Sequence, residues 1–97
     1  MMAQYLEKHI EEEISALARR CEIERVFLFG SRARGDCRPR SDIDLAIRGG
    51  GTTAFILSVD EAVQTLLLFD VVDLGKPVQP ELLAEIERDG VVIYEKV

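Results

Sequence analysis

The sequence predicts a small α/β or α+β domain, a β-sheet with helices packed on it. Three observations predict it. Short apolar runs rich in β-branched and aromatic residues alternate with segments of helical period. Glycine or proline punctuates most of the boundaries. The 97 residues, 47% hydrophobic and 31% charged, suffice for one core and leave no room for a second module, so residues 1–97 read as a single domain.

Each element has its own reason. Residues 3–20 carry Leu6, Ile10, Ile14, Leu17 and Ala18 at four-and-three spacing among Glu and Lys, which is one helix with one buried stripe. His9, the only histidine, has no partner at ligand spacing and reads as helix surface. Val26–Phe29 is a short apolar run stopped by Gly30, the pattern of a strand buried on both faces. Ser31 can then act as N-cap of a single helical turn, SRARG, before a loop marked by Gly35 and Pro39. Asp42–Ile47 alternates and reads as a second strand, closed by Gly49, Gly50 and Gly51. Thr52–Leu67 reads as a helix and Leu68–Leu74 as a third strand. Pro80–Arg88 is a short helix with proline in its first turn and Gly90 just past its end. Val91–Tyr94 is a final strand.

Several function classes drop out on composition. Twelve Lys and Arg against 18 Asp and Glu give a net charge of -6, which argues against a protein that binds long nucleic acids directly. Yet Arg32, Arg34, Arg38 and Arg40 face only Asp36 within residues 32–40, a local basic loop suited to a small anion. No apolar run approaches the ~20 residues of a membrane span. The N-terminus lacks a basic-then-apolar signal pattern, so the chain reads as cytosolic. Cys21 and Cys37 read as two reduced thiols rather than a disulfide framework or zinc site.

The chemistry concentrates between Gly30 and Asp44. Asp42 and Asp44 project from the same strand face, because successive side chains alternate. Two adjacent carboxylates repel unless a cation lies between them, and hard oxygen donors suit Mg²⁺. Gly30 lets the backbone approach a ligand, and a helical turn opening at Ser31 offers N–H groups to an anion. Ser31 can bond a phosphate oxygen, and Arg32 or Arg34 can neutralise phosphate charge. The segment is not a P-loop, since no Lys-Ser/Thr follows Gly35, and there is no G-x-G-x-x-G. A calcium loop fails too, with Ala46 and Thr53 at its fifth and twelfth positions. For a third carboxylate, Asp70 and Asp73 are the candidates, and odd spacing means that only one can join the pair. Asp70 sits within the apolar run, where an isolated carboxylate is costly and demands a reason, so Asp70 is preferred.

The stretch VFLFGSRARGDCRPRSDIDLAI resembles the signature of DNA-polymerase-β-type nucleotidyltransferases, in particular their minimal bacterial and archaeal members. That signature is Gly-Ser, about ten residues, Asp-x-Asp, and a later Asp in an apolar strand. Here Gly30, Ser31, Asp42 and Asp44 match with ten residues between, Asp70 takes the third place, and ERDGVVIYEK resembles the family's ending.

The resemblance implies a polymerase-β-like palm with a mixed sheet. It implies transfer of a nucleoside monophosphate from ATP with two Mg²⁺ ions, Asp42, Asp44 and Asp70 being catalytic and metal-binding. Gly30, Ser31, Arg32, Arg34 and Ser41 would bind the nucleotide. Because the sequence ends just after the sheet, the expectation is either that the acceptor is itself a protein that docks here or that a partner chain supplies the rest of the pocket. Minimal members pair with helical HEPN-type RNases, so the resemblance implies an antitoxin that adds AMP to a tyrosine of its toxin partner. Two alternatives belong to other classes: an antitoxin that masks the toxin without chemistry, and nucleotidyl transfer to a small molecule.

Overall fold

The computed structural model describes residues 6–97. In chain order it contains α1 (Lys8–Arg20), β1 (Arg25–Phe29), α2 (Ser31–Arg34), β2 (Ile43–Arg48), α3 (Thr52–Ala62), β3 (Phe69–Asp73), α4 (Pro80–Asp89) and β4 (Val91–Glu95). The strands form one mixed sheet in the order β3-β2-β1-β4. Strand β1 runs antiparallel to both β2 and β4, whereas β2 and β3 are parallel. A parallel pair needs a long crossover, and α3 supplies it.

The two faces of the sheet are covered unequally. Val26, Leu28, Ile43, Leu45 and Ile47 pack against Ile10, Ile14 and Leu17 of α1 and Phe55 and Val59 of α3. This is the main core, and each buried Leu or Ile there contributes roughly 1.5–3 kcal/mol of transfer free energy. The opposite face carries a smaller cluster of Phe29, Ala46 and Ile86, flanked by Phe27, Val72, Leu74 and Leu82. Helix α4 covers only part of that face. The start of β2 and β3 is left open on the α4 side, and that opening positions the site.

Several features differ from the sequence reading. Among the described residues, the first helix begins at Lys8 behind Glu7, whose backbone is extended, while Leu6 is still buried. Residues 3–5 of the expected helix lie outside the described residues. The turn after β1 is capped by Gly30 rather than Ser31, which is already helical. Helix α3 stops at Ala62, short of Leu67. Val63 turns extended and buries its side chain, and the Gln64 N–H is taken at 2.7 Å by Glu13 of α1, so the chain peels away. Finally, β3 is an edge strand, and Asp70 on it is exposed rather than enclosed.

His9 is exposed and approaches the Gln64 carbonyl at 3.2 Å. Cys21 and Cys37 are free thiols. Among the described residues no helix is long and apolar enough to cross a membrane.

Candidate active site

The antiparallel pairing of β1 and β2 explains the spacing of the motif. Phe29, the last residue of β1, lies opposite Asp44 near the start of β2. The ten residues between Ser31 and Asp42 therefore form a loop that returns the chain to its own end. Gly30 makes this turn at φ 74°, a conformation that side chains with a Cβ rarely adopt. A Cβ there would lie 2.2 Å from Asp44 Oδ2. Only glycine lets the Asp44 carboxylate rest against the turn.

Helix α2 follows for a single turn and closes on Gly35 in the left-handed conformation. Its internal bonds start at the Gly30 carbonyl, which accepts from the N–H groups of Ala33 and Arg34 at 3.1 Å each. Ser31 opens the turn beside Asp44, half-buried.

Arg32 turns into the loop that follows α2. It is buried, and its guanidinium donates to the Ser41 carbonyl through Nε (3.1 Å) and Nη2 (2.9 Å) and to the Pro39 carbonyl at 3.2 Å. Arg32 thereby pins the loop that delivers Asp42. Ser41 belongs to the same frame, since its Oγ accepts from the Arg38 N–H at 2.8 Å. A loop of this length must satisfy its own carbonyls, and the planar guanidinium serves two at once.

Arg34 remains at the mouth. It pairs with Asp36 at 3.2 Å and reaches Glu85 and Asp89 of α4 at 3.5 Å each. The hydrogen bond to Asp36 holds its pKa above the usual arginine value.

Asp44 is the electrostatic centre. Burial pushes its carboxyl up to about 6, and the negative charges of Asp70, Asp42 and Glu85 push the same way while Arg34 opposes them. Asp70 is the register partner of Asp44 across the parallel β2–β3 pair. Register partners share a face, so both carboxylates point to the α4 side with Val72 and Ala46. Asp42, exposed just before β2, has the same parity.

Asp73 projects to the other face. There it bonds the Thr52 side chain of α3 and accepts from the Gly75 N–H at 2.9 Å, contacts that hold its carboxyl below the usual range. The structure thus brings Asp42, Asp44 and Asp70 to one side with Gly30, Ser31 and Arg34, and leaves Asp73 out.

Sequence reasoning missed Glu85. The signal was present: Glu85 lies between Leu82 and Ile86, which mark the sheet-facing stripe of α4. A carboxylate on that stripe must meet the sheet or its rim.

Among the described residues no three His, Cys, Asp or Glu side chains gather closely enough to hold an ion as they stand. The donor chemistry nevertheless fits a hard divalent cation. Three carboxylates share one face, and the Asp44 carboxyl is raised first by burial and then by the charges of Asp70 and Asp42, which a cation would offset.

Comparison with known proteins bears on the family and the fold. Residues 11–97 match the family model described as Polymerase beta, Nucleotidyltransferase. A candidate protein adenylyltransferase of Methanocaldococcus jannaschii is 40% identical over 68 residues, covering 68% of this chain and 66% of that relative, just under two thirds of its length. The crystal structure of a toxin–antitoxin with AMP-PNP superposes with a TM-score of 0.71 at 22% identity, over 89% of this chain and 73% of that one. This likeness is one of fold. A candidate nucleotidyltransferase from Sulfolobus solfataricus gives a TM-score of 0.60 at 26% identity, over 92% and 79% of the two chains. The glycine turn, the acids on the open sheet face and a family match running from within α1 to Val97 lead to one conclusion: the chain belongs to the polymerase-β-type nucleotidyltransferases.

Proposed function

We propose that this nucleotidyltransferase moves AMP from ATP onto a protein, a tyrosine of a HEPN-type RNase toxin, and so acts as its antitoxin. The observation that carries the reading is the pairing of Asp44 with Asp70 on the face that also receives the Gly30–Ser31 turn. The relative named as a candidate protein adenylyltransferase, and the fold shared with a toxin–antitoxin crystallised with AMP-PNP, support the choice of acceptor and nucleotide.

In this reading the residues divide the work by position. Ser31, at the start of α2, offers its hydroxyl and N–H to the β- and γ-phosphates of the leaving pyrophosphate. Arg34, at the mouth, meets the charge that develops there. Asp42, Asp44 and Asp70 would hold two Mg²⁺ ions. When bound, these supply charge neutralisation on the triphosphate and ease ionisation of the acceptor hydroxyl. Asp70, on the outer strand, stands nearest the acceptor side. Arg32 and Ser41 keep the loop before Asp42 in place.

The test is incubation of the purified chain with ATP, Mg²⁺ and the partner protein, read by intact mass. The expected result is a gain of AMP on the partner, lost in Asp42→Ala and Asp44→Ala variants that stay folded. A partner that gains no AMP from active, folded protein would overturn the proposal.

A further inference from the structure

Strand β3 ends the sheet on one side and β4 on the other, and the two edges are built differently. An edge strand offers N–H and C=O groups to any further strand, and folds blunt such edges with bulges, charges or proline. Strand β4 is blunted. Its register against β1 shifts between Val26 and Phe27. Glu95 pairs with Arg25 at 2.6 Å, and Lys96, just past the strand, with Glu22 at 3.4 Å. Strand β3 is not blunted. Its residues pair with β2 without a shift and include no lysine, arginine or proline. Its two aspartates lie on the sheet faces, Asp70 toward the site and Asp73 toward Thr52.

The backbone of the β3 edge is open. The Leu68 carbonyl accepts from the Ile43 N–H and the Leu74 N–H donates to the Ile47 carbonyl, both at 2.8 Å. In a parallel ladder every second residue bonds to the neighbouring strand. Asp70 and Val72 therefore turn their N–H and C=O groups to β2, and Phe69, Val71 and Asp73 turn theirs outward. Among the described residues no loop or turn backbone bonds to Phe69 or Val71. Apolar side chains flank the edge from both layers. Ile56 of α3, Val71, Val72, Pro77, Val78 and Leu82 of α4 line a groove of about 420 Å³. Leu57, next to Ile56 in α3, and Leu68, just before β3, are 76% and 67% exposed.

We propose that β3 pairs antiparallel with β3 of a second copy of this chain, about a twofold axis at Val71, so that two four-stranded sheets become one. The strand's own sequence fits this axis. Val71 meets Val71 of the second copy, and the two exchange N–H···O=C bonds. Phe69 meets Asp73 of the second copy, Asp70 meets Val72 and Leu68 meets Leu74, so no like charges are opposed. Moving the axis one residue to Asp70 would set the two Asp70 carboxylates against each other. A twofold interface must match itself, and this edge does, which selects a second copy as the occupant. The inference stands independently of the proposed AMP transfer. It bears on the site all the same, because Val72 of the second copy then lies beside Asp70 and walls the outer flank of the open face.

The experiment is sedimentation equilibrium of the full chain over a concentration series, beside amide hydrogen exchange read residue by residue. The expected result is a species of twice 10.9 kDa, with the Phe69 and Val71 amides gaining protection as it forms. Val71→Pro removes the outward N–H without touching the β2 ladder and should leave a monomer. That change also alters a half-buried side chain, so Ile56→Lys, at an exposed position, serves as the second variant and should weaken association about tenfold. A parent chain that stays monomeric at millimolar concentration would overturn the inference. So would a dimer whose added protection falls on β4, a folded Val71→Pro variant that still associates, or an Ile56→Lys variant that associates as tightly as the parent.

Discussion

At the scale of single residues, Gly30 and Asp44 form one unit. A methyl group at Gly30 meets the Asp44 carboxylate and also strains the backbone, so Gly30→Ala should cost about 1–3 kcal/mol in urea unfolding and abolish nucleotidyl transfer. Asp44 makes a second prediction. Its carboxyl titrates near 6 when folded against 3.8 as the ordinary value, so the folded chain binds the proton more tightly than the unfolded one. The penalty of keeping it ionised is therefore full above about pH 6, shrinks as pH falls through 6, and is gone below 3.8. In metal-free buffer Asp44→Asn should be more stable than the parent by about 1 kcal/mol near neutrality, a figure reduced for the half-exposed position. The gain should vanish in unfolding curves recorded below the ordinary carboxylate range. A variant no more stable at neutral pH would show that burial and the neighbouring acids do not penalise ionised Asp44 as described.

At the scale of elements, the loop and the strand register decide what the residues can do. The Gly-Ser turn and the Asp-x-Asp strand were legible in the sequence because each is local: a glycine stop, an alternation, a fixed spacing. Arg32 was not, because its partners are backbone carbonyls whose positions exist only once the loop has closed. Arg32→Lys keeps the charge but loses the planar fork. It should lower the transfer rate more than it weakens ATP binding, as seen in steady-state kinetics beside calorimetry. The choice between Asp70 and Asp73 was also out of reach of parity alone. It depends on which face α3 covers, and Thr52 of α3 claims Asp73. The preference for Asp70 came from an argument about burial that does not hold, since β3 is an edge strand and Asp70 is exposed. The pairing with Asp44 supplies the better reason.

At the scale of the molecule, the uneven covering of the sheet produces the site. Two helices seal one face, and the short α4 leaves the strand ends open on the other. The same opening sets Glu85 and Asp89 against Arg34, so α4 helps to fix the mouth. Helix–strand alternation revealed the layers in the sequence, but which helix takes which face is a property of the assembled sheet. The central claim is that Asp42, Asp44 and Asp70 act together from that open face while Asp73 serves the fold. Calorimetric titration of Mn²⁺ with ATP tests it most directly on paired variants. Asp70→Asn should lose at least one bound ion relative to the parent, whereas Asp73→Asn should bind as the parent does. Equal binding by both variants, or loss in Asp73→Asn alone, would contradict the account.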